Sequence, residues 1–164
     1  MTLCDTVFTR RSVRKYDKEP LNEDVLKNIS DYLDRLENAG QMTGQKANFE
    51  IVGTDKVRGP SPHYILAYCG KNDSAYANVG YVLQKMDLYI QSLGFGSLYL
   101  GVKKPRDASD DFCILLAFGR TSVPSGKVKK NSADFRSARC PLQTTWPRAL
   151  QELPRPQGTH SHGN

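Results

Sequence analysis

Apolar positions recur with helical period in two stretches of the chain and run together in several shorter ones. Leu26, Ile29, Leu33 and Leu36 fall on one face of a helix that begins after Pro20. Asn22 stands where a capping residue is expected, Glu23 and Asp24 put negative charge in the first turn, and Gly40 offers a stop. A longer helix is predicted from about Ser74 to Leu93, with Val79, Val82, Leu83, Met86, Ile90 and Leu93 on one face and Gly94 as its end. Asn48–Thr54 and His63–Cys69 read as short strands, separated by a turn at Gly59-Pro60-Ser61-Pro62. Ser97–Val102 reads as a further extended segment. Cys113–Phe118 is a continuous apolar run, the pattern of a strand buried on both faces. Helices and strands interleave irregularly and no segment repeats, so the class is α+β or α/β.

Composition adds boundaries to this picture. At 164 residues, with 38% hydrophobic and 24% charged residues, the chain suits one globular domain with a real core. The longest uncharged stretch, Leu88 to Val102, is shorter than the roughly 18 residues of a spanning helix, and three glycines interrupt it. The first five residues meet charge before any apolar signal region forms, so a cytoplasmic protein is expected. The four cysteines are widely spaced and three histidines offer no ligand spacing for zinc, so reduced thiols and no metal site are expected. From Gln143 to Asn164 the periodicity fades and prolines gather. This stretch reads as an arm or disordered tail after a domain spanning 1–142.

Charge changes the picture more. There are 23 Lys and Arg against 17 Asp and Glu, a formal net charge of +6, which attracts anions without saying which. Three segments are candidates for chemistry. In Arg10-Arg11-Ser12-Val13-Arg14, an extended backbone would turn Arg10, Ser12 and Arg14 to one side. Two guanidinium forks flanking a hydroxyl suit a phosphate, although a solvated basic segment has the same composition. The glycines of Leu93-Gly94-Phe95-Gly96-Ser97 would allow a sharp turn and close approach to a flat ligand, or simply stop the helix. They follow a helix and lack the third glycine and acidic partner of a dinucleotide fingerprint, so a Rossmann reading is excluded. Arg136-Ser137-Ala138-Arg139-Cys140-Pro141-Leu142, with Lys127, Lys129 and Lys130 upstream, is a third basic segment. No Ser/His/Asp set, paired carboxylates or Walker loop accompanies them, so the chemistry falls to a bound cofactor.

The order and spacing of these pieces resemble the FMN-dependent nitroreductase family. Arg-Arg-Ser-Val-Arg-Lys-Tyr from Arg10 is similar to its opening motif, and Asn78 to Leu88 running into Leu93–Ser97 to its central helix and following turn. Ile114–Gly119 resembles its last core strand, and Arg139-Cys140-Pro141-Leu142 the close of its domain. The resemblance implies an α+β three-layer sandwich, with a central, mostly antiparallel sheet flanked by helices, forming a homodimer with FMN at the subunit interface. It implies that Arg10 and Ser12 hold the ribityl-phosphate, with Arg11 between them also in the cofactor site, that Arg14 lies by the pyrimidine edge, and that Arg139 returns to the phosphate. Leu100 and Gly101 would present backbone to the reactive flavin nitrogen. The family's Asn-x-Gln-Pro-Trp segment is replaced by Gly44-Gln45-Lys46-Ala47-Asn48-Phe49, so Gln45 or Asn48 would supply the amide that meets the ring. The implied activity passes electrons from NADH or NADPH through flavin to a nitroaromatic, quinone or similar flat acceptor, with no catalytic side chain. The rival readings are a polyanion- or nucleic-acid-binding module using the same arginines, and a flavin protein of this fold with a non-reductase role.

Overall fold

The computed structural model describes residues 3–39 and 45–121, all within the first of two compact units, Met1–Val128. The expected domain end at Leu142, the tail after it and the third basic segment lie outside the described residues. Among the described residues, three helices and four strands follow in the order α1 (Leu3–Thr9), α2 (Glu23–Asn38), β1 (Ala47–Val52), β2 (His63–Cys69), α3 (Asp73–Ser92), β3 (Gly96–Leu100) and β4 (Phe112–Gly119). The strands form one sheet in the order β1-β2-β4-β3, antiparallel at every step. The class is therefore α+β, an antiparallel sheet with helices packed on it.

The two predicted helices form where periodicity placed them, and their ends show what the pattern did not. Asn72 caps α3 as the helix-breaking chemistry of its side chain allows, accepting from the Ala75 N–H at 2.9 Å. Asn22 occupies the N-cap position of α2 but makes no capping bond, a departure from the sequence expectation. Its Oδ1 instead accepts from the Arg120 guanidinium at 3.5 Å. Gly94 ends α3 with φ of 89°, a left-handed conformation that a side chain would strain.

α1 is an element that the sequence reading missed. Its seven residues are too few for a clear apolar stripe, and it is held by packing on α3. α3 in turn lies across all four strands. Its fully buried Val82, Leu83, Met86 and Ile90 meet a sheet whose central strands bury Ile65, Leu66, Leu115, Leu116 and Ala117 on both faces. That double burial is why β2 and β4 read as unbroken apolar runs. Alternate residues Tyr64, Leu66, Leu115 and Ala117 join Val52 and Val57 in one cluster, with Leu100 and Phe112 at its margin. Cys69 and Cys113 are free, whereas Cys4 is disulfide-bonded, so the expectation of reduced thiols does not extend to Cys4.

Candidate functional site

The basic segment is tied to the rest of the fold by a network centred on α3. Arg10 is not in an extended stretch, as the alternation argument required. Its N–H donates to the Thr6 carbonyl at 2.8 Å, so it closes α1, and Arg10, Ser12 and Arg14 do not form one continuous pleat. The extended backbone begins after it, where Ser12 bridges Ser97 in parallel and the Val13 N–H donates to the Ser97 carbonyl at 2.9 Å. The segment thus lies beside the first residues of β3.

This close seating explains a glycine. A Cβ on Gly96 would come within 2.8 Å of three atoms of the Val13 side chain, so no other residue fits there without displacing the basic segment. Gly96 therefore serves protein packing and not the approach of a flat ligand. Gly101, by contrast, faces open space.

Asp87 is the anchor. Its carboxylate is fully buried on α3, and Oδ2 lies 2.6 Å from Arg10 Nε, whose side chain remains 28% exposed. The N–H is not aligned on that oxygen, so the contact is a charge pair more than a directed hydrogen bond. Oδ1 accepts from the Ser97 hydroxyl and, at 3.1 Å, from Gln91 Nε2. Gln91 then clasps the backbone of Arg11 from both sides. Its Oε1 accepts from the Arg11 N–H at 2.9 Å, and its Nε2 reaches the Arg11 carbonyl at 3.1 Å. One turn of α3 thereby fixes Arg10, Arg11 and the start of β3 together.

Two phenols surround the carboxylate. Burial first, then the negative charge of Asp87, push Tyr16 and Tyr99 upward from the usual tyrosine range, so both stay protonated. The Tyr16 hydroxyl is buried and has no hydrogen-bond partner among the described residues. None of Asp87, Gln91 or Ser97 was singled out from the sequence. An acidic residue inside an otherwise apolar helical face, one residue after Met86, was the available signal.

The remaining candidates are dispersed. Ser12 and Arg14 are exposed, as are Gln45, Asn48 and Gly101, while Leu100 is half-buried against the sheet cluster. Gln45 and Asn48 sit at β1, the sheet edge opposite β3, three strand spacings or about 14 Å away. The Gln45 carbonyl is held by the buried Asn78 amide at 2.9 Å. Asn78 and Asp87 are two and a half turns apart on α3 and so face opposite ways. One chain does not bring the two amide candidates to the arginines. Arg139 lies outside the described residues.

Comparison with known proteins now bears on this arrangement. The family model described as "Putative TM nitroreductase" matches residues 2–142. The chain belongs to the nitroreductase family. No curated protein matches it. Among solved structures, a nitroreductase family protein from Clostridium difficile superposes with a TM-score of 0.59 at 16% identity, covering 87% of this chain and 95% of that one. A nitroreductase from Desulfovibrio desulfuricans, solved in complex with FMN, gives a TM-score of 0.58 at 17% identity over 95% and 98% of the two chains. One from Thermotoga maritima gives 0.58 at 21% identity, over 94% of this chain but 60% of that one. These likenesses establish the nitroreductase fold. Among the described residues no helix is long and apolar enough to cross a membrane, and no cluster of side chains could hold a metal ion.

Proposed function

We propose that this nitroreductase-family chain is an FMN-dependent oxidoreductase that works as a homodimer. The observation that carries the reading is the ordered basic segment: Arg10, Ser12 and Arg14 stand on a backbone pinned to α3 and β3, and the Arg10 guanidinium, held by Asp87, suits a phosphate dianion. The Arg10 guanidinium has no partner but Asp87 among the described residues and is partly exposed, which leaves its outer nitrogens for an incoming anion. The fit at the phosphate end is therefore good. Arg14 would supply a cation for the pyrimidine edge, and Leu100 and Gly101 would supply backbone, Gly101 in open space.

The ring end needs a second copy. Gln45 or Asn48 would reach the ring of a flavin held by the partner subunit, which accommodates their distance from Arg10 in one chain. Large apolar side chains exposed on α1 and α3 (Val7, Tyr76 and Tyr81) offer a surface for that contact. FMN held there would supply the redox chemistry, between NADH or NADPH as donor and a nitroaromatic, quinone or similar flat acceptor. The chain's own residues bind, orient and exclude water; no side chain is assigned a proton transfer. Titration with FMN, followed by native mass spectrometry, tests the reading. Two FMN per dimer is the expected stoichiometry, and a monomer that takes up none would overturn it.

A further inference from the structure

The buried carboxylate at the centre of the network has no role in the reading so far, and its position gives it one. We propose that Asp87 is a positioning residue for the phosphate-binding arginine: it holds Arg10 through Nε so that the outer face of the guanidinium meets the phosphate. The inference rests on the FMN reading above and deepens it.

Three observations converge. Asp87 is fully buried, and a carboxylate withdrawn from water needs a partner whose position does not wander. Its second oxygen is fixed by Ser97 and Gln91, so Asp87 cannot swing to follow Arg10; Arg10 must come to it. Gln91 also holds the Arg11 backbone at both its N–H and its carbonyl, so the base of the Arg10 side chain and its head are set from the same helical turn. With its Nε edge paired to Asp87, Arg10 keeps its two outer nitrogens as the planar fork that a phosphate accepts. A guanidinium already ordered loses less conformational freedom on binding.

The sign of the effect separates positioning from plain charge. A negative group this near a phosphate repels it, so on charge alone Asp87→Asn would tighten FMN binding. Positioning predicts the reverse. The affinities of wild type and Asp87→Asn for FMN and for riboflavin, which lacks the phosphate, are measured by flavin fluorescence quenching. The expected result is an FMN Kd raised about tenfold, with riboflavin unchanged within about twofold. Unchanged or tighter FMN binding overturns the proposal, as does an equal loss for both flavins, which would mark a merely structural role. Should Asp87→Asn fail to fold, Gln91→Ala loosens the same carboxylate more gently. It is expected to weaken FMN selectively by about threefold or more, and equal affinities would refute the inference. Wild type that binds neither flavin removes the FMN reading itself, and this inference with it.

Discussion

Removing Arg10 should damage the folded protein before it damages any ligand site. The Asp87 carboxylate is wholly buried and, among the described residues, is paired with Arg10 alone, 2.6 Å away, while Arg10 keeps 28% of its side chain in contact with solvent. At an effective dielectric of about 20 the gross attraction at that distance is about 6 kcal/mol. Desolvation of the buried carboxylate takes back several kcal/mol, leaving a small net benefit from the intact pair. The asymmetry lies in the single variants. Arg10→Met strands a buried charge and should cost about 3 kcal/mol. Asp87→Asn strands a partly hydrated arginine, keeps part of the Ser97 and Gln91 bonding, and should cost about 1–2 kcal/mol. The double variant strands neither, so urea unfolding at pH 7 should show a coupling energy of about 1.5 kcal/mol or more. Costs that add to within about 0.5 kcal/mol would show that the two groups do not depend on each other. It follows that a flavin-binding defect in an Arg10 variant is interpretable only beside its unfolding curve.

Other consequences can be checked in the same way. Gly96→Ala places a methyl group against Val13 and should cost about 1–3 kcal/mol in urea unfolding, while Gly101→Ala, in open space, should stay within about 0.5 kcal/mol; equal effects would contradict the packing argument. His63 accepts from the Leu21 N–H at 2.9 Å through Nε2, which requires neutral imidazole, and burial lowers its pKa from the ordinary value near 6.5. Stability from this group is complete above the unfolded-state pKa and is lost as pH falls through the lowered folded-state value. Unfolding free energy should therefore decline below about pH 6.5, and His63→Gln should flatten that part of the profile; an unaltered slope would refute the assignment. Burial and the neighbouring Cys113 thiol push Cys69 up to about 11, so in the native protein at pH 7.5 iodoacetamide should leave Cys69 unmodified for hours. Peptide mapping that finds Cys69 alkylated as fast as a free thiol would show the strand end to be open.

The elements visible in the sequence are those whose burial is periodic or continuous. α2 and α3 each carry a full apolar stripe, and β2 and β4 are sealed on both faces, so period alone located them within a residue or two. α1 escaped because seven residues are under two turns, too short for a stripe to stand out, and because tertiary contact with α3 holds it. Missing α1 also misplaced Arg10, which the alternation argument puts in an extended stretch that begins two residues later. The basic motif was legible as a phosphate candidate, but its anchor was not. Asp87 and Gln91 lie some 80 positions away in sequence, and only the fold shows that they meet Arg10 and Arg11. Likewise the distance of Gln45 and Asn48 from the arginines depends on strand order, which no local pattern encodes.

The central claim is that flavin held by this chain takes electrons from a nicotinamide nucleotide. Its most direct test is the visible absorption spectrum of the protein loaded with FMN, recorded anaerobically before and after NADH or NADPH is added. The account predicts flavin bands that bleach with at least one nucleotide and return when a quinone is admitted. Bands that neither nucleotide bleaches would contradict the reductase chemistry while leaving the fold in place.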